Sequence, residues 1–290
     1  MIKIYFEQTN DAEKLFAVLK AYKNEPSLCF TYDGDKRITI HIDKKAMEMI
    51  QTIVIPAMTN FITRFIEDRL LLSIIFHDFH YKNVEEQQQI LQLAHSFIDG
   101  ERYDYRNGKQ QTESREAFIK QALTEFLSDD ISFSFESFLY FRLRKYKERL
   151  LHYVELAIDE YKLEQEYQNF IQTLRDCLVS RPAKLSIIHL LHKESTFTFY
   201  DEYFCEISAK ELRKLIDRTL IINQPMYIDS SVLAPLVSIA PKTIYLYTGN
   251  SDDGMVQTIQ NIFQERLKLC DIDFFSKVNK LIVKRLDNST

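Results

Sequence analysis

The stretch from residue 139 to residue 157 carries apolar side chains at alternating intervals of four and three residues. An α-helix with this spacing presents one apolar side chain per turn on a single face, which must pack against another element. We call this row the apolar seam, and it predicts a long helix. Its positions are Leu139, Leu143, Tyr146, Leu150, Tyr153 and Ala157.

The seam changes phase after Ile158 and then continues in a second run. One unbroken helix over residues 134–180 would be roughly 70 Å long, whereas a compact chain of this size is only about 50 Å across. We therefore expect a bend or a short break near Glu160–Leu163, or a helix that protrudes. The second run consists of Leu163, Tyr167, Phe170, Leu174 and Cys177.

The remaining periodicity predicts an α+β fold that is mostly helical. Alternating apolar residues around the Asp33–Gly34 turn indicate a hairpin. A long helix is predicted over 44–81, kinked near Pro56 because proline removes a backbone donor. The predicted regions are a small N-terminal β-α-β-β unit at 1–43, a helical region with long helices at 44–180, a C-terminal mixed α+β region at 181–275, and a tail at 276–290.

Local signals also place strands and helices in the last third of the chain. β-branched and aromatic residues indicate strands at 184–191 and 196–200. Ser208 followed by Glu211 is a capping box, which predicts a helix that reaches Ile222. A further amphipathic helix is expected over Met255–Leu269.

Glycine is scarce, with 5 in 290 residues. Nucleotide-binding loops of the Walker or dinucleotide type need closely spaced glycines so that backbone N–H groups can approach phosphate, so the sequence excludes them. The net charge of −5 argues against a protein coated by polyanions but allows a local basic patch.

Several features indicate a soluble cytoplasmic protein. The apolar run at residues 1–7 is too short and too interrupted for a signal peptide. The most apolar stretch, 49–76, contains Arg64 and Glu67, and such charges argue against a transmembrane span. The four cysteines are scattered without a pairing pattern, so we expect reduced thiols.

Several short blocks of mostly apolar or acidic residues occur in the second half of the chain. They are Phe141–Leu143 with Tyr146, Ala157–Tyr161, Glu164–Tyr167 with Phe170–Ile171, Leu236–Ile244, and Thr258–Phe263. Over residues 135–270 the chain resembles the YtxC-like family of sporulation proteins. The resemblance implies a cytoplasmic protein of endospore-forming bacteria, and it supplies no catalytic residues.

A run of cations precedes residue 150, and a run of carboxylates follows it. With Glu148 included, residues 138–150 carry a net charge of +4, and residues 155–166 carry −4. Within one helix this order is the reverse of what the helix dipole favours. The cations are therefore candidates for binding phosphate, nucleic acid or an acidic partner; the alternative is a solvated surface that pairs with itself. This basic run comprises Arg142, Arg144, Lys145, Lys147 and Arg149.

The segment His77–His80 is a metal-like pattern at the end of a predicted helix. His77 and His80 would lie about one turn apart and could share a cation with Asp78 or Glu67. The alternative is a polar helix end, at which histidines interact favourably with the C-terminal dipole.

Two other polar groups are assigned structural roles. His189 and His192 lie on a predicted strand, where residues three apart point to opposite faces and cannot readily chelate one ion together. The loop before Gly254 lacks the acidic residue that a calcium site needs at position 260. Asp252 and Asp253 are therefore expected to cap the following helix.

These observations lead to three hypotheses of function. The first is a non-enzymatic protein-interaction or regulatory factor of sporulation, with another protein as its partner and no cofactor. The alternative is a nucleic-acid-binding protein that uses the basic helix 142–149. A second alternative is a metal-dependent hydrolase that uses His77 and His80. No membrane association is expected, and the oligomeric state stays open.

Overall fold

The computed structural model describes residues 1–22, 28–42, 46–102, 114–217, 228–275 and 277. Helix makes up 60% of the fold and is combined with two small mixed sheets, which confirms the predicted α+β class with a helical centre. The chain divides into two compact units, residues 1–163 and 164–290. The predicted tail, 276–290, lies outside the described residues apart from Lys277.

The first unit contains a four-stranded sheet. Its strands are β1 (Ile2–Tyr5), β2 (Leu28–Tyr32), β3 (Arg37–Ile42) and β4 (Ile131–Ser134), in the order β2-β3-β1-β4. The predicted hairpin joins β2 and β3, and Gly34 has a φ of 83° in its turn. Strand β4 was not predicted, because only Ile131 and Phe133 alternate within it and its partner β1 is far away in the sequence.

The first unit also contains helices, the last of which continues into the second unit. They are α1 (Thr9–Ala21), α2 (Ala46–Met49), α3 (Ile55–Phe61), α4 (Glu67–His77), α5 (Val84–Ile98), α6 (Arg115–Phe126), α7 (Phe135–Phe141) and α8 (Arg144–Ser180). The apolar side chains of the sheet, the central helices and the first part of α8 share one core. The first unit therefore spans the predicted boundary at residue 43.

The helical stretch from α2 to α4 contains two wider π turns, at Ile50–Val54 and Ile62–Ile66. Pro56 is the second residue after the first π turn, so the missing proline donor lies next to the change in hydrogen bonding. By length and composition alone, Met47–His77 could cross a membrane, and 61% of its most apolar window is buried inside the protein. A core helix of a soluble protein passes the same test, so the finding is weak evidence for a span.

Helix α4 ends at His77, whereas the sequence predicted a helix to residue 81. His80 adopts a left-handed backbone with φ of 62°. The Tyr81 N–H then donates to the Ile75 carbonyl at 3.2 Å, so the chain turns away from the helix axis. The left-handed residue is the physical reason for the earlier end.

Helix α8 runs through residues 160–163 without a break. The interruption lies instead at residues 142–143, between α7 and α8. The side chain of Leu163, predicted to continue the seam, is 61% exposed. Tyr146 and Leu150 pack in the core of the first unit, and Phe170 and Leu174 pack in that of the second. The phase change in the seam therefore marks the boundary between units, which falls inside this helix rather than at residue 180.

The second unit has its own four-stranded sheet, in the order β6-β5-β7-β8. Strands β5, β7 and β8 are parallel, and β6 is antiparallel to β5. The elements are β5 (Ile187–Lys193), β6 (Thr196–Tyr200), α9 (Ala209–Leu215), α10 (Leu233–Ile239), β7 (Thr243–Thr248), α11 (Gly254–Phe263), a 3-10 turn (Gln264–Arg266) and β8 (Leu267–Asp271).

Two predicted helices of this unit are longer than the observed ones. The capping box of Ser208 and Glu211 is present, but α9 ends at Leu215, and residues 218–222 lie outside the described part of the chain. Helix α11 ends at Phe263 rather than residue 269, because Gln264 has a φ of 45° and the next residues pair with β7 as β8.

Candidate functional site

An open groove of about 600 Å³ lies on the first unit, between the C-terminal half of α4 and the α7–α8 connection. Leu70, Ile74 and Leu151 contribute apolar surface to it, and Arg144 and Lys147 contribute positive charge. We call it the α4–α8 groove. His77 also lines it, so the structure brings this histidine beside two members of the basic run.

Two neighbouring aromatic side chains stand at this groove. Tyr140 and Phe141 are each 70% exposed, and their ring centroids are 4.8 Å apart. Helix α7 buries Phe135 and Phe138, which leaves the last two residues of the helix on its outer side. The chain then breaks before α8. The result is an exposed aromatic pair, and large apolar surfaces of this kind often mark interaction sites.

The two cations of the groove differ in environment. Arg144 is exposed and forms an ion pair with Glu148 on the next helical turn, with Nε to Oε1 at 2.9 Å. Lys147 is partly buried, and its Nζ lies 5.2 Å from the centroid of the Tyr140 ring. Loss of hydration lowers the pKa of Lys147. An incoming carboxylate would therefore meet a cation that water solvates incompletely.

The other three members of the basic run lie around the same helix end. The Arg142 guanidinium is 5.3 Å from the Phe126 ring, and that of Arg149 is 5.1 Å from the Tyr153 ring. Lys145 is exposed. Within the described residues, Arg144 alone among the five forms an ion pair with a carboxylate. The basic run is therefore not neutralised by these parts of its own chain.

The position of these cations in α8 is electrostatically unfavourable. Arg144 and Lys145 open the helix, and its first turn contains no acidic residue. A helix N-terminus carries partial positive charge, so a cation placed there destabilises the helix by about 0.3–1 kcal/mol, whereas an anion would stabilise it by a similar amount. The dipole and the side chains therefore add to one positive potential, which an anionic group would relieve.

The histidine pair does not assemble as the metal hypothesis requires. His77 is the last residue of α4, whereas His80 lies beyond the helix with a left-handed backbone. The two therefore do not share a helical face. Among the residues that the structure describes, no group of three His, Cys, Asp or Glu side chains is placed to hold a metal ion. The geometry gives the metal-dependent hydrolase no support.

A buried polar cluster formed by α4, α6 and α8 was missed by sequence reasoning. The Tyr146 hydroxyl donates to Oε2 of Glu67 at 2.5 Å, and Nε of Arg115 lies 3.1 Å from the same oxygen. Burial raises the pKa of Glu67 and that of Tyr146. The tyrosine therefore remains a donor, and the cluster ties the first part of α8 to α4. The only sequence signal was a charge inside an apolar stretch.

Comparison with known proteins identifies relatives but no structural precedent. A family model described as the YtxC-like family matches residues 52–268. Uncharacterized protein YtxC of Bacillus subtilis (strain 168) is 36% identical over 276 residues, covering 95% of this chain and 96% of the relative. No solved structure matches. By the extent of both matches, the chain belongs to the YtxC-like family.

Proposed function

We propose that this chain is a sporulation-associated cytoplasmic protein that acts by binding an acidic partner protein. The sporulation setting is the expectation that follows from the resemblance described above. The binding surface consists of the basic run and the α4–α8 groove. On this proposal the protein is an interaction or regulatory factor rather than an enzyme.

The positive end of α8 is the observation that carries the proposal. Four of the five cations have no ion-pair partner among the described residues, and they surround a helix N-terminus that is itself positive. Clustered like charges repel one another, so an acidic partner gains attraction from the cations and the helix end together.

The groove favours a protein partner over a nucleic acid. Its apolar wall, with Leu70 and Ile74, suits an apolar side chain. Asp78 and Glu148 also line the groove, so a ligand there must aim separate anionic groups at Arg144 and Lys147, which an unbroken row of phosphates does less readily than a protein segment. A protein segment can place an apolar residue in the groove and its carboxylates against Arg144 and Lys147. The exposed Tyr140 and Phe141 would then be covered as aromatic anchors.

Nucleic-acid binding is the second candidate. The observation in its favour is the exposed aromatic pair beside cations, since bases stack on such rings while cations meet phosphates. This function requires an affinity for nucleic acid that falls steeply as the salt concentration rises. A mobility-shift titration at low salt decides it, because no shift would exclude this function.

The proposal is tested by affinity capture from sporulating cells of an endospore-forming bacterium. The bait is the full chain, compared with a variant carrying Arg142→Glu, Arg144→Glu and Lys145→Glu. We expect the variant to lose an acidic protein that the wild type captures, and the purified pair to bind more weakly at high salt.

The matched control is Lys162→Glu, a charge reversal of an exposed residue later on the same helix. It should capture the partner as the wild type does. Capture that is unchanged by the triple reversal would show that the basic run is not the docking surface.

A further inference from the structure

The α4–α8 groove has two helical walls of similar length. Each wall contributes a row of side chains spaced three or four residues apart, namely Leu70, Ile74 and His77 on α4, and Arg144, Lys147 and Leu151 on α8. Each row spans seven residue steps, which correspond to about 10 Å along a helix axis. The groove is therefore bounded on both sides by about two helical turns.

These walls offer few backbone partners to an extended peptide. Backbone groups along α4 are bonded within that helix, and in α8 the Lys147 N–H already donates to the Leu143 carbonyl at 2.9 Å. An extended segment in the groove would leave its own N–H and C=O groups unpaired wherever the walls exclude water, which is unfavourable. A helix satisfies its backbone internally, so it enters such a groove without this loss.

The repeat of the walls also matches a helix. Side chains on one face of an extended segment recur about every 6.7 Å, whereas the rows on the two walls recur about every 5.4 Å. Helices pack by placing the side-chain ridges of one between the ridges of another. Leu70, Ile74 and Leu151 are partly exposed, so apolar surface is available to such a ridge.

The charges of the groove select an acidic helix. Arg144 and Lys147 are three residues apart on α8, so a partner helix meets both of them with carboxylates one turn apart. The ion pair between Arg144 and Glu148 is exposed, and such pairs contribute little, so an incoming carboxylate can replace Glu148. Within the described residues Lys147 has no carboxylate partner, and its Nζ lies against the Tyr140 ring.

We propose that the α4–α8 groove binds an acidic amphipathic helix of a partner protein. This inference rests on the proposed function and narrows its partner to one kind of secondary structure. The helix places apolar side chains from positions i, i+4 and i+7 against Leu70, Ile74 and Leu151. Its carboxylates pair with Arg144 and Lys147.

The test is the binding of three synthetic peptides to the full chain, measured by fluorescence polarisation. The first is about 15 residues long, or about four turns, with leucine at i, i+4 and i+7, glutamate beside the leucines and alanine elsewhere. A covalent link on its outer side holds it helical. The second has the same charge and no link, with two prolines in place of outward-facing alanines. The third keeps the composition and link of the first but distributes the leucines around the helix.

We expect the first peptide to bind about 100-fold more tightly than the second, because proline breaks the helix. It should bind about 10-fold more tightly than the third, because only the first presents an apolar stripe. Charge alone cannot explain either difference, since the three peptides carry the same number of glutamates.

Variants of the protein locate the binding site. Arg144→Gln combined with Lys147→Gln should weaken the first peptide about 10-fold. The matched control is Lys162→Gln, which neutralises an exposed cation later on α8 and should leave the affinity unchanged. Melting temperatures close to that of the wild type show that the variants remain folded.

The proposal fails if the first peptide does not bind, if the proline peptide binds equally well, or if the double substitution has no effect. A wild type that forms dimers, loses them on the double substitution and excludes the peptide would show that a second copy occupies the groove, which also overturns it. Capture of an acidic protein that the triple reversal abolishes would uphold the proposed function even then. The failure of this inference and that of the proposed function are therefore distinguishable.

Discussion

Replacing Tyr146 by phenylalanine isolates the hydrogen bond that ties α8 to α4. The substitution removes one oxygen atom and leaves no cavity of consequence, because the ring keeps its packing. The lost bond is short, at 2.5 Å, and its acceptor is the Glu67 carboxyl, which is 1% exposed. Hydrogen bonds to charged groups contribute about 1.5–3 kcal/mol. Because Arg115 still lies beside the same oxygen, we expect a loss near the lower end of that range.

The loss should depend on pH in a defined direction. The pKa of Glu67 is raised in the folded protein, so its contribution to stability is fully present below the unfolded pKa and is lost as pH rises through the folded value. Without the tyrosine hydroxyl the ionised form loses a donor, and the folded pKa rises further. The difference between variant and wild type should therefore grow as pH rises through this window and shrink under acid conditions.

Urea denaturation followed by circular dichroism measures the change in the free energy of unfolding. The slope of this free energy against urea concentration should be the same for both proteins, which would show that their unfolded states are comparable. Tyr153→Phe is the matched control, since that hydroxyl forms no hydrogen bond with the described residues and the same helix carries it. The reasoning is refuted if Tyr146→Phe costs no more than the control at neutral pH, or if its cost is the same at every pH.

Three further predictions concern stability. In the wild type the free energy of unfolding should fall as pH rises, because the folded pKa of Glu67 is raised. Glu67→Gln removes this carboxyl, so the fall should be smaller. Urea denaturation at several pH values measures it, and an unchanged pH profile would contradict the prediction. Asn83→Ala should lower the free energy of unfolding by about 1 kcal/mol, because the Asn83 side chain accepts from the N–H groups of Glu85 and Glu86 at the start of α5. Thermal unfolding measures this loss, and an unchanged melting temperature would contradict the prediction. Leu174 on α8 is fully buried, so Leu174→Ala should lower the free energy of unfolding by about 2–5 kcal/mol. Denaturant unfolding measures this loss, and a smaller one would show that the site is loosely packed.

Local signals predicted those elements that carry a clear short-range pattern of alternation, turn residues or caps. The β2–β3 hairpin and the Ser208 capping box are of this kind. Strand β4 has only two alternating apolar residues, Ile131 and Phe133, and β8 begins inside the amphipathic pattern that predicted a helix to residue 269, so neither strand was predicted. The exposure of Leu163 was not predicted either, since which face of a long helix is covered depends on where one core ends and the next begins.

The candidate site was predictable in composition but not in shape. The basic run is visible in the sequence because its residues are close together along one helix. The groove forms because α4 packs near the start of α8, although the two helices are far apart in the sequence. No local pattern predicts such a contact. The same holds for the buried bond between Glu67 and Tyr146, which are 79 residues apart.

The two π turns make the effect of a deletion in the first core depend on where it falls. A π turn accommodates an additional residue relative to an α-helix. Deleting one residue within Ile50–Val54 would restore a regular α-helix and leave the turns on both sides on their present faces. Deleting one residue within the regular helix Ile55–Phe61 would instead rotate one side against the other by about 100°, and buried side chains such as Met58 would turn toward solvent. A single-codon deletion in the π turn should therefore be tolerated better than one in α3.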